Sequence, residues 1–185
     1  ISFGFGLIGV GVMLFGLIPF LTDEGFSRST AALMVTAMSI PAVVAKPIWG
    51  WVIDFVQPKL AAAAGFATSA IAIVVILLGA KVGSVPGVTI GALLMGLGYG
   101  GTIPIQEVIW ATYFGRRHLG AVRGVAMPFA LILGAGGPLV VQFYFDRVGN
   151  YDGAFLAIAA SWALGAALIL TARKPARRGQ APRDG

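Results

Sequence analysis

Apolar positions along the chain gather into long uninterrupted runs, with the charged residues confined almost wholly to the breaks between them. The runs cover 1–21, 30–53, 60–80, 88–112, 124–145 and 153–172. Each is about 20 residues or longer, which at helical rise crosses a hydrocarbon core of about 30 Å. The breaks carry turn chemistry and charge: Thr22-Asp23-Glu24-Gly25, then 54–59, 81–87, 113–123 and 146–152. No strand alternation competes with this pattern, so the runs predict an all-α membrane protein with six transmembrane helices followed by a basic tail, 173–185.

The order of polar residues within the runs adds a weak internal repeat. The second run holds Pro41 and Pro47 and ends at Asp54; the fifth holds Pro128 and Pro138 and ends at Asp146. The chain therefore divides into two triplets of helices, each with a proline-rich middle member. A triplet contains an odd number of crossings, so its second copy lies inverted relative to the first, an arrangement that recurs in transporters.

Charge fixes an orientation. Lys59, Arg116, Arg117, Arg123 and the tail residues Arg173, Lys174, Arg177, Arg178 and Arg183 fall on one predicted side, against Arg28, Lys81 and Arg147 on the other. The positive-inside rule places the first side, and the C-terminus, in the cytoplasm of a multi-pass protein of the cell or inner membrane. The net charge of +6 is thus topological and does not indicate nucleic acid.

Composition narrows the class further. Hydrophobic residues make up 58% of the chain and charged residues 11%, well below soluble usage. The 27 glycines follow no collagen period and read as close helix packing in lipid. Gly96, Gly98 and Gly101 satisfy a GxGxxG spacing, but no strand precedes them, so a packing face replaces any dinucleotide reading; Gly134, Gly136 and Gly137 read the same way. With no cysteine and one histidine, His118, in a predicted loop, the spans carry no nucleophile–base pair, and neither an enzyme nor a cofactor or metal site is expected.

Candidate chemistry rests on polar residues inside the runs. Lys46 lies eight residues before Asp54, about 12 Å along a helix axis. An ammonium at that depth costs about 2.5–3.5 kcal/mol on insertion scales, offset either by snorkelling to the near interface or by a role as a substrate or proton-relay site. Pro47 and Pro41 free the carbonyls of Val43 and Ala37, which kinks the helix and points to a lined cavity, unless the kink is purely structural. Gln106 and Glu107 follow Pro104; Glu107 needs a partner, with Lys46 one possibility, or sits near a helix end. Tyr99 and Gln142 are placed to face an interior, whereas Trp49, Trp51, Trp110, Tyr113, Phe114 and Tyr144 fall near run ends and read as an interfacial belt.

The loops carry a resemblance to a known family. Gly50-Trp51-Val52-Ile53-Asp54 followed by Lys59 resembles the Gly-x-x-x-Asp loop motif between the eighth and ninth helices of the major facilitator superfamily, with Phe55 to Pro58 standing where the motif is Arg-rich. Tyr113 to Gly120 with Arg123-Gly124, and Gly137-Pro138 through Asp146 to Tyr151, resemble its monocarboxylate and oxalate–formate porter branch. Ala45-Lys46-Pro47 is similar to that branch's eighth helix, where a basic residue before proline engages the substrate carboxylate; lysine supplies a point charge there rather than a bidentate fork.

The resemblance implies the C-terminal six-helix half, built of two inverted three-helix repeats, of a transporter that moves a small organic anion, a monocarboxylate, by alternating access. Its partners would be that anion, the lipid bilayer and an N-terminal six-helix half or a second chain. Lys46 would bind the carboxylate, with Gln106, Glu107, Tyr99 and Gln142 as further substrate contacts. Gly50, Asp54, Lys59, Arg116, Arg117 and Arg123 would be gating residues. The alternative is a six-helix channel or structural partner acting as a dimer.

Overall fold

The computed structural model describes residues 2–172, so the basic tail lies outside the described residues. Among them every regular element is helical: α1 (Ser2–Asp23), α2 (Arg28–Phe55), α3 (Pro58–Lys81), α4 (Val85–Gly100), α5 (Thr102–Phe114), a 3-10 turn at Arg116–His118, α6 (Leu119–Val148) and α7 (Asp152–Thr171). With α4 and α5 taken as one crossing, six helices are long and apolar enough to span a bilayer.

Local chemistry starts and stops these helices. Ser27 Oγ accepts from Thr30 N at 3.1 Å to open α2, and Ser84 Oγ accepts from Gly87 N at 3.1 Å to open α4. Proline at the first turn starts α3 and α4, where its missing N–H has no helical partner to lose. Gly149, at φ 76°, closes α6 in the left-handed conformation that a side chain disfavours.

The fourth apolar run is not one continuous helix. Pro104 cannot donate to the Gly100 carbonyl, and the Gly101 N–H turns back to the Tyr99 carbonyl. The Leu97 carbonyl, which Gly101 would otherwise engage, instead accepts the Trp49 indole at 2.8 Å. Trp49 is therefore half-buried, with its indole tied to α4: the helix break supplied the acceptor.

Packing between helices follows the two-triplet division. The first helix of each triplet lies on the second and third of the other: α4 packs against α2 and α3, and α1 against α6 and α7, while α3 and α7 meet each other. Phe66, Trp162, Phe155 and Phe20 are fully buried at the seam between α1, α3 and α7. Phe66 meets Trp162 edge-on at 5.3 Å, a favoured aromatic geometry.

The contact of α4 with α2 and α3 is made backbone to backbone. A methyl at Gly96 would strike the Met38 carbonyl, one at Gly100 the Ala42 carbonyl and one at Gly98 the backbone of Ser69. The glycine run is thus a two-sided packing face, with no strand near it among the described residues.

Candidate functional site

Three stripes run along α2. Ala31, Met34, Met38, Ala42 and Ala45 are buried against the bundle. Leu33, Ile40, Val44, Ile48, Trp51 and Phe55 form an exposed apolar stripe. Between them, at three- and four-residue spacing, run Thr36, Ser39, Val43, Lys46, Gly50 and Asp54, all exposed or half-exposed. One exposed stripe suits lipid and the other does not.

Lys46 projects from the polar stripe. No carboxylate of the described residues lies within ion-pair distance of it. The hydroxyls on the same stripe, two to three turns away, are already engaged: Ser39 Oγ donates to the Val35 carbonyl at 2.8 Å and Thr36 Oγ1 to the Ala32 carbonyl at 3.3 Å. The ammonium is the one full positive charge on this stripe, and Asp54, exposed at the end of α2, is its nearest acid along the helix. Gly50 faces open space, which leaves room one turn from the ammonium.

Glu107 takes a different partner from the one its sequence position suggested. Arg123 Nε donates to both of its carboxylate oxygens, at 3.0 and 3.1 Å, and Nη2 adds a third contact. The pair ties α5 to α6. Arg123 does not lie in a loop: α6 begins at Leu119, directly after the 3-10 turn, because nothing between Leu119 and Gly124 breaks a helix. The guanidinium had marked the end of an apolar run, not the end of a helix.

The remaining predicted residues scatter. Gln106, with Trp110 and Phe114, lines an open apolar groove of about 780 Å³ between α1, α5 and α6. Tyr99 is half-buried against the core. Gln142 is exposed on α6 and donates to Asp146 Oδ1 at 3.2 Å, one turn along its own helix, so it does not point into the bundle. Lys59 sits half-buried in the first turn of α3, Arg116 lies in the 3-10 turn, and Arg117 there is exposed. Among the described residues Arg123 alone forms an ion pair with Glu107, and Lys46, on α2, does not line the groove.

At the opposite end of the bundle lies a cluster that sequence reasoning missed. Lys81, the last residue of α3, reaches Glu24 Oε1 at 2.8 Å and Asp152 Oδ1 at 2.9 Å, joining the ends of α1, α3 and α7. Its signal was present but diluted: three bases, Arg28, Lys81 and Arg147, and the acids Asp23, Glu24, Asp146 and Asp152 share the predicted outer breaks. In the same region, burial first and then the charges of Asp23 and Asp146 push the Tyr151 hydroxyl above its usual pKa, keeping it neutral.

The model of the Major Facilitator Superfamily matches residues 1–185. A search of curated proteins returns no match.

Proposed function

The chain belongs to the Major Facilitator Superfamily, a family of secondary transporters spanning the membrane several times, and we propose that it transports a small organic anion, a monocarboxylate, by alternating access. In this reading it acts as the C-terminal six-helix half and works with a second six-helix unit, joined to it or separate. The two would rock around a site near the bilayer midplane, with the basic tail and Arg117 on the cytoplasmic side.

Lys46 carries the proposal. A lone ammonium deep in a membrane-length helix is costly, yet here it faces away from the bundle's own core on the one exposed stripe of α2 that is not apolar. Such a stripe suits a water-lined cavity closed by the second unit. A substrate carboxylate would provide the counter-charge that no described residue supplies, and exposed Val43, one turn away, offers an apolar contact for a short alkyl group. Asp54 and Lys59, at the α2–α3 connection, would then act as gating contacts at the cytoplasmic end.

The test is anion binding by the complete transporter. Lys46→Ala should weaken carboxylate binding at least about tenfold, the loss expected for a charge-assisted hydrogen bond, whereas Lys46→Arg should retain most of it. Unchanged affinity in Lys46→Ala would sink the assignment. Steady, non-saturating conductance would favour a pore-forming partner instead.

A further inference from the structure

The helix that holds Arg123 is the least anchored in the bundle. Of the 30 residues in α6, Gly137 and Val141 alone are buried, compared with most of the middle of α3. Open apolar grooves flank it: the one between α1, α5 and α6, and a second of about 580 Å³ between α1, α6 and α7. Within this bundle α6 is held by its crossing with α1, by the stacking of Phe145 on Tyr151 at its C-terminal end and by one ion pair with α5.

The crossing has the chemistry of a pivot. Pro138 removes the hydrogen bond that the Gly134 carbonyl would otherwise accept. That same carbonyl is where α1 approaches most closely, since a methyl on Gly11 would collide with it. Just beyond, Gly137 rests on the Ile8 carbonyl. The helix is thus weakest in its own hydrogen bonding at the point where it touches its neighbour, as at other proline-broken helices. Arg123 lies eleven residues away, a lever of about 16 Å.

We propose that the Arg123–Glu107 pair is a latch: closed, it holds the N-terminal half of α6 against α5, and open, it lets that half swing about the Gly134–Pro138 region and widens the groove lined by Gln106, Trp110, Val125 and Phe129. The element is bistable because little else resists the movement. Packing between α5 and α6 is sparse along their length, and Pro128 removes a further hydrogen bond, to the Gly124 carbonyl, inside the swinging half. Arg123 and Glu107 therefore govern access along this wall and need not touch a substrate. The latch rests on this bundle's own geometry and stands whether or not Lys46 binds a carboxylate.

The absence of native cysteine makes the test direct. Ala126→Cys places a thiol in the groove, and its rate of modification by a small, membrane-impermeant cationic methanethiosulfonate reports access in the reconstituted protein. Adding Glu107→Gln should raise that rate about fivefold, the change expected on losing a modest ion pair. The exchanged pair Glu107→Arg with Arg123→Glu should restore the parent rate, and Arg123→Lys, which keeps the charge and loses the fork, should fall between them. A thiol at Ala157→Cys, in the second groove, should react at the same rate in all variants. An unchanged Ala126→Cys rate in Glu107→Gln, an equal rise at Ala157→Cys, or failure of the exchanged pair to restore closure would each overturn the latch.

Discussion

Glycines in α4 and most glycines in α6 look alike in sequence and do opposite things in the bundle. Gly91, Gly96, Gly98 and Gly100 of α4 each meet a neighbouring backbone so closely that a methyl group has no room. Gly120, Gly124 and Gly136 of α6 meet nothing within 4 Å. In α4 the missing side chain lets three helices approach; in α6 it leaves a bare flank. The difference teaches that one half of this bundle, α2, α3 and α4, is a fused block, while α6 hangs from α1. The end opposite the latch reinforces the contrast, because Lys81 clamps the ends of α1, α3 and α7 with two carboxylates where α6 has no such tie.

The sharpest break in that contrast is a side chain at Gly96. Gly96→Leu forces α4 off the Met38 carbonyl, which is backbone and cannot turn aside, and should cost about 3 kcal/mol or more. Thermal unfolding in detergent should show loss of the cooperative transition; a near-parent midpoint would mean that α2 and α4 are not fused. Gly11→Ala is the corresponding probe of the pivot. It meets the Gly134 carbonyl, but α6 is free to shift, so the expected cost is smaller, about 1–2 kcal/mol. The modification rate of Ala126→Cys should change with it, since displacing the pivot moves the groove wall.

Removing the clamp is a weaker perturbation. Lys81→Gln loses two ion pairs that are both partly exposed, so about 1 kcal/mol is expected, decreasing with added salt. Amide exchange at the ends of α1 and α7 should quicken together, because one ammonium holds both. Quickening at one end alone would show that only one of the carboxylates is held in solution.

Much of the architecture was legible because the bilayer enforces it. Six apolar runs of spanning length, broken by charge, leave few alternatives to six helices, and prolines 41, 47, 128 and 138 all fall inside α2 and α6, the proline-rich middle members of the two triplets. Pairing was not legible. Glu107 called for a partner, and nothing in one sequence distinguishes Arg123 from Lys46 until the start of α6 is known. The tie from Trp49 to α4 was not legible either, because its acceptor, the Leu97 carbonyl, is free only where the helix breaks at Gly101. Of the α6 glycines expected to pack like those of α4, Gly137 rests on the Ile8 carbonyl and Gly134 offers its carbonyl to Gly11, whereas Gly136 meets nothing within 4 Å; residue type reports that a close approach is permitted, not that a neighbour has taken it. Lys46 stands out by the cost of its charge, a signal that needs no partner to be read.

The smallest expected effect is the most discriminating between the two regions. Gly136→Ala adds a methyl group where α6 faces open space, so the packing term is close to zero and intrinsic helix preference remains. Alanine is favoured over glycine in a helix interior by about 0.5–1 kcal/mol, and the variant should be neutral to slightly more stable in thermal unfolding. The same change at Gly98, which sits on Ser69, gains the same preference and should nevertheless be clearly destabilising. A stiffer α6 should also swing less readily: with the latch removed by Glu107→Gln, Gly136→Ala should lower the Ala126→Cys modification rate toward the parent value. Destabilisation by Gly136→Ala would mean that a further surface covers this flank of α6 in the assembled transporter, and the contrast between the fused block and the hanging helix would then hold for the isolated bundle alone.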